Sequence, residues 1–378
     1  MSSEKMPFQV EGYTSVEDFE AVVAYMRTVF PIAAICRWLC VNRPPPDAML
    51  ETREFSLQAH GRDFVYTKRY ISGRSARELL DSMKTHKLFR VDIGAVYNVP
   101  PSQSKLYQEY SPVYKELVFD IDIDRYDGTR QCCTGKMSCT RCWCLVTTAV
   151  RALNHLLIHV FGYHDILWVY SGSKGFHCWV SDDAARYLTE TQRRHLCEYL
   201  WLGSSEMPDV DQNSVFGWFV DEILAPFFFG RYADDHPICA TNAIISALST
   251  ANPADYGRFM PVDKADPRAA GVATQLLKQA RDWYYSRCVC SERRAITEAI
   301  MRTVWPRVDT GVTTSLKHTL KAPFCVHPRT QRLCLPVDPA TVDAFDPSKV
   351  PRWLRHGCTD VAAFDAAVSR FMEYTNTL

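Results

Sequence analysis

The chain has 378 residues, 47% hydrophobic and 23% charged, and its 43 Lys and Arg balance 43 Asp and Glu to a formal charge of zero. That profile excludes disordered and fibrous classes and leaves room for one large domain or two ordinary ones; any nucleic acid must be met by local basic patches. The 15 cysteines are too many, and too odd in number, for a secreted disulfide scaffold, which points to reduced thiols or a metal site.

In chain order, the opening "MSSEKMPFQVEGY" carries early charges and no apolar signal-peptide core, so a soluble intracellular protein is expected. Residues 15–42 read as helical, broken by Pro31 and closed by "NRPPPDA" as a rigid turn. Strands follow at "REFSLQA" and "DFVYTKRYI", a helix at "SARELLDSMK" and a strand at "RVDIGAVYNV". In "ELVFDIDID", Leu117, Phe119, Ile121 and Ile123 alternate with Val118, Asp120, Asp122 and Asp124, which is the period of a strand with its acids on one face. "LVTTAVRALNHLLIHVFG" has helical spacing and a natural stop at Gly162, and "ILWVY" and "FHCWV" form two strands joined by the hairpin loop "SGSKG".

From about Asp183 to Trp305 the pattern turns helical, in "AARYLTETQRRHLCEYLWL", "TQLLKQARDWYYSR" and "RRAITEAIMRTVW". The oily "VFGWFVDEILAPFFFG" is interrupted by Asp221, Glu222 and Pro226 and falls short of the roughly 20 apolar residues of a membrane helix, so no membrane is expected. Strand character returns at "PRVDTGV" and in a second hairpin, "PFCVHPRTQRLCLPV". The expected class is therefore α+β, a mixed α/β core split by a helical insertion: residues 1–182, an inserted helical subdomain at 183–305, and a resumed core with a C-terminal tail at 306–378.

Asp120 and Asp122, about 6.6 Å apart along one strand face, can converge on divalent ions, for which magnesium's preference for oxygen is suited. An isolated D-x-D of this kind is more often an exposed edge strand facing water; its oily neighbours count against that here. Asp309 in "RVDTGV" is the best candidate for a third carboxylate, although an Asp before Thr-Gly is ordinarily a turn residue; Asp124 and Asp127 look like turn or rim residues. Cys132, Cys133, Cys139 and Cys142 form C-C-x5-C-x2-C, which suits tetrahedral zinc in a structural role, with Cys144 to spare. "YSGSKGFHCWV" offers backbone amides, Ser171, Ser173, Lys174 and His177 as a triphosphate cradle, against the plainer reading of a hairpin with a lysine. "LKHTLKAPFCVHP" adds Lys317, His318, Lys321 and His327, by default a solvated basic helix end.

Taken together, "ELVFDIDID", the cysteine cluster, "WVYSGSKGFHCWV" and "VDTGV…HTLKAPFCVHP", preceded by "REFSL" and "RVDIGAVY", resemble the small, catalytic subunit of archaeo-eukaryotic DNA primase, most of all its eukaryotic form, over residues 20–350. The resemblance implies a catalytic core with an embedded zinc motif at 132–142 and an inserted α-helical subdomain. Asp120, Asp122 and Asp309 would hold two Mg²⁺ or Mn²⁺ ions, and Cys132, Cys133, Cys139 and Cys142 a structural Zn²⁺. Ser171, Lys174 and His177, helped by Lys321 and His327, would bind the triphosphate. Arg90 and Asp92 would lie near the nucleotide, as would Arg69, for which Lys68 competes. Two departures are visible: the family's loop carries two basic residues where this chain has Ser173 and Lys174, and Arg90 stands where lysine is common.

The implied activity is that of a DNA-dependent RNA polymerase making short RNA primers from ribonucleoside triphosphates on single-stranded DNA. The implied partners are a large primase subunit and the replicative DNA polymerase alpha complex, in the nucleus. Two other readings stay open: a primase-polymerase using deoxynucleotides, against which the embedded cysteine cluster argues, and a non-catalytic zinc-bearing nucleic-acid adaptor, against which the three acids argue.

Overall fold

The computed structural model describes residues 13, 15–40, 46–61, 64–202, 215–257, 260–263, 265–286 and 291–378; residues 1–12 of the opening stretch and 42–45 of the expected turn lie outside them. Helix α1 (Val16–Thr28) starts at Ser15, whose hydroxyl accepts from the Asp18 amide at 3.1 Å. Pro31 separates it from α2 (Ile32–Leu39). The described part of "NRPPPDA" is not a turn but the start of α3 (Pro46–Thr52), because proline is accommodated at a first helical position, where no intrahelical N–H bond is lost.

Two antiparallel sheets carry the core. In the first, β1 (Arg53–His60), β2 (Val65–Ile71), β3 (Lys87–Tyr97) and β4 (Pro112–Tyr114) run in the order β2-β1-β3-β4, with α4 (Ala76–Lys84) between β2 and β3. Phe19 of α1 meets Phe89 of β3 edge-on at 5.9 Å between ring centroids. In the second, β5 (Leu117–Asp122), β6 (Ile166–Tyr170), β7 (Gly175–Val180) and β9 (Pro336–Val337) run in the order β5-β7-β6-β9. Leu117, Val118, Phe119 and Ile121 are fully buried, so β5 is covered on both faces up to its acids. Helix α5 (Thr140–His159) packs on this sheet through Trp143, 5.7 Å from Phe176, and the chain leaves it at Gly162, whose φ of +69° is the left-handed conformation a helix stop favours.

The second hairpin joins the sheets. The strand leading into it, β8 (Leu320–Lys321), pairs with β3, and β9 at its end pairs with β6, while Phe324 to Cys334 between them cross-bond irregularly around the Val326–Leu333 bridge. One segment thus fixes how the sheet carrying "SGSKG" meets the "RVDIGAVY" sheet.

Between the sheet segments, the expected helix at "AARYLTETQRRHLCEYLWL" divides into Asp183–Arg186 and Glu190–Tyr199. Thr189 and Gln192 form a reciprocal capping box that starts the second helix afresh. Helices Pro237–Ala251, Ala269–Tyr285 and Ser291–Val304 pack on one another, and "VFGWFVDEILAPFFFG" coils through short helical and π-helical turns. Among the described residues no single helix is long and apolar enough to cross a membrane. The expected strand at "PRVDTGV" is reduced to one bridge, Val308 to Ile121; Asp309 then caps the short helix Thr310–Thr314, its carboxylate accepting from the Gly311 amide at 3.1 Å. The Asp side chain thus closes a turn instead of continuing a ladder.

Candidate active site

Strand β5 lies between two neighbours that bring distant residues to its acids. On one edge β7 sets His177 opposite Asp120 and Gly175 opposite Asp122. On the other edge the Asp309 amide donates to the Asp120 carbonyl at 2.9 Å. A side chain at Gly175 would put Cβ 1.7 Å from the Ile121 carbonyl oxygen, so the loop's second glycine is required by close approach. At Gly172 φ is +85° and a Cβ would meet that of His327 at 2.6 Å. The two glycines of "SGSKG" thus let the loop sit against both β5 and the second hairpin.

The electrostatics around Asp120 are strained. Burial, followed by repulsion from Asp122 and Asp309, pushes its carboxyl up to about 7, and its Oδ1 is buried without a hydrogen-bond partner. Burial also raises Asp122, although Lys174 Nζ lies 2.9 Å from it and 2.7 Å from Asp124. Asp309 is paired at 2.6 Å with Arg125. Mutually repelling carboxylates, one with an unsatisfied buried oxygen, are the oxygen donors that suit divalent cations.

Around them, Ser171 closes its own loop, its hydroxyl accepting from the Gly175 amide at 3.2 Å and its carbonyl from Lys321 Nζ at 2.6 Å. His177 Nε2 is 3.7 Å from Asp120. Burial, then the charges of Lys321 and Arg90, holds the His177 imidazole well below its usual range, and burial with Lys321 and Arg329 lowers His327 to about 3, so both rings are neutral near pH 7. Arg90 is bound to Asp92 at 2.6 Å.

A cavity of ≈ 520 Å³ beside the loop is lined by Arg90, Lys136, Ser173, Lys174, His327 and Arg329, among others. Arg69 is not among its lining residues; its guanidinium is taken up by Glu54 at 2.8 Å and the Lys317 carbonyl at 3.0 Å, and Lys68 reaches His86 at 3.2 Å. A second cavity of ≈ 430 Å³, lined by Arg125, Arg302, Arg307, Trp201 and Trp305, lies against Val308, on the opposite edge of β5.

The sulfurs of Cys132, Cys133, Cys139 and Cys142 all lie within 4.8 Å of one another. Tetrahedral zinc, with Zn–S near 2.3 Å, spaces its sulfurs at roughly 3.8 Å, so this thiol set fits the ion. The chain turns at Gly135, between the adjacent pair and Cys139, and Cys139 and Cys142 stand at the start of α5, one turn apart. Cys144 points away, toward the Arg141 carbonyl at 2.9 Å.

Several residues escaped the motifs. Arg125 follows the acids closely but was not among the candidates; only the fold brings it to Asp309. Asp124, read as a rim residue, shares Lys174 with Asp122. Lys136 and Arg329 had no signal beyond their charge.

The sequence model of the DNA primase small subunit matches residues 119–339. The DNA primase small subunit of Saccharomyces cerevisiae is 30% identical, over 94% of this chain and 90% of its own length. That of Drosophila melanogaster is 30% identical, over 92% of this chain and 83% of its own. The DNA primase small subunit PriS of Picrophilus torridus is 24% identical, over 75% of this chain and 74% of its own length.

Proposed function

We propose a function from one premise: the chain belongs to the DNA primase small-subunit family. On that premise it makes primers for DNA replication, joining ribonucleoside triphosphates on a single-stranded DNA template and extending the product into a short RNA. The observation that carries the reading is the carboxylate of Asp120, crowded by Asp122 and Asp309, lacking a partner for one oxygen, and set beside a cationic cavity.

Divalent ions on Asp120, Asp122 and Asp309 would lower the pKa of the attacking 3′-hydroxyl and offset charge on the departing pyrophosphate. The protein's own groups supply the rest. Lys174 lies on Asp122 and Asp124, so ions held by the acids would free its ammonium to turn toward the phosphates. Lys321, anchored on Ser171, contributes a fixed positive charge, and the neutral His177 and His327 act as hydrogen-bonding groups. The arginine-lined cavity on the far edge of β5 suits the strand end that presents the 3′-hydroxyl, which would set the two reactants on opposite edges of β5. A zinc ion on the four thiolates would fix the loop between β5 and α5. Family membership extends the reading to a large primase subunit and the replicative polymerase alpha complex as partners, in the nucleus.

The test is product formation by the purified chain on unprimed single-stranded DNA with ribonucleotides and Mg²⁺ or Mn²⁺, beside Asp122→Ala. Short RNA from the wild type alone is expected. If neither protein makes RNA there, and neither extends a primed template, the catalytic reading fails.

A further inference from the structure

The cavity beside "SGSKG" has four cations on its wall, but two are already neutralised: Lys174 by Asp122 and Asp124, and Arg90 by Asp92. Lys136 and Arg329 are exposed, and among the described residues no carboxylate lies within ion-pairing distance of either. Both are held in place. The carbonyls flanking Lys136, those of Gly135 and Met137, each accept from buried Arg130 at 2.6 Å, and the Gly135 amide donates to Asp127 at 2.8 Å. This is the loop between Cys133 and Cys139, so the thiol cluster and Arg130 together aim Lys136.

Arg329 is on the second hairpin and donates to the Ser173 hydroxyl, while Thr330 beside it donates to the Gly172 carbonyl. A guanidinium from another element therefore stands at the loop position where this chain has a serine. Both cations also depress the His327 imidazole, which places their fields in one pocket.

We infer that Lys136 and Arg329 provide the un-neutralised positive charge that grips the polyphosphate of the incoming nucleotide, and that the cysteine loop is thereby a nucleotide-binding element as well as a structural one. The inference rests on reading this cavity as the triphosphate pocket. It gives the zinc motif a direct link to substrate affinity: whatever loosens the loop withdraws Lys136 from the phosphates. It also gives Ser173 a consequence, since the charge absent from the loop arrives from Arg329.

The experiment is isothermal titration of the full chain with ATP and, separately, AMP, in Mg²⁺, for wild type, Lys174→Ala, Lys136→Ala, Arg329→Ala and the double variant Ser173→Arg/Arg329→Ala. Zinc content and Tm are measured on each. Lys136→Ala and Arg329→Ala should each weaken ATP about tenfold while moving AMP little, with zinc and Tm unchanged, as loss of a charge-assisted contact to phosphate requires. Ser173→Arg should restore most of the affinity lost in Arg329→Ala. If Lys174→Ala weakens ATP but Lys136→Ala and Arg329→Ala leave it unchanged, the pocket stands and this inference falls. A change confined to one of the two removes the other from it. If the wild type does not bind ATP, pocket and inference fall together.

Discussion

The two ends of β5 handle buried carboxylates in opposite ways. Immediately before its first residue Glu116, fully buried, is matched by Arg53 at 2.7 Å and Arg186 at 3.3 Å, and despite its burial these guanidiniums hold its carboxyl down to about 2. Four residues on, Asp120 is pushed up to about 7 by burial and by two more carboxylates, with one oxygen unpartnered. One end is electrostatically complete within the protein. The other is left with unbalanced negative charge, which the cations of the proposed function would offset. The contrast separates a charge matched within the fold from one that the proposed function uses for chemistry, four residues apart.

The sharpest way to test that contrast is to remove one acid from each end. Asp122→Ala should lower primer synthesis at least about 10³-fold, since in the proposed mechanism the transfer depends on ions those acids would hold, and leave the folded fraction intact. Near-normal activity in that variant would remove the metal assignment. Glu116→Ala should do the reverse, losing about 3–5 kcal/mol in denaturant unfolding, because it strands buried Arg53 without a counter-charge. A loss below about 1 kcal/mol would mean the network relaxes and the comparison is overstated.

Next comes Cys142→Ser, which should release zinc and lower Tm by several degrees, with metal content read by elemental analysis. Unchanged zinc and Tm would refute the structural role of the cluster.

The pH response tests the strained end alone. A carboxyl raised above its ordinary 3.8 contributes stability at low pH that is lost as pH rises through about 7, because the buried group must then carry charge. Without divalent ions, wild type should therefore lose stability relative to Asp120→Asn as pH is raised from 5 to 8, and Mg²⁺ should stabilise wild type more at pH 8 than at pH 5. A flat difference between the two proteins would show that Asp120 is not strained.

The smallest effect concerns Arg125, whose pair with Asp309 is well exposed on both sides. Arg125→Ala should change stability by less than about 1 kcal/mol yet reduce the Mg²⁺ concentration needed for half-maximal synthesis, since a competitor for Asp309 is gone. A higher Mg²⁺ requirement would show that Arg125 assists the site instead of competing within it.

Much of this was legible in the chain. Period-two alternation marked β5 and placed Asp120 and Asp122 on one face, helical spacing and Gly162 marked α5, and the short C-x2-C spacing marked the thiol cluster. These are local signals, carried by residues close enough in sequence for backbone geometry alone to relate them. The capping box at Thr189 and the helix start at Pro46 were local too, but a long helical pattern and a proline run concealed them.

What the tertiary structure alone decided is which charges meet. Glu116 finds Arg53 and Arg186, Asp309 finds Asp120 and Arg125, and Arg329 finds Ser173, each across a stretch of chain that no periodicity spans. A lysine or arginine in a sequence carries the same charge wherever it ends. Whether that charge is neutralised, as in Arg53, or left facing a cavity, as in Lys136, depends on burial and on partners that only the packing of the two sheets supplies.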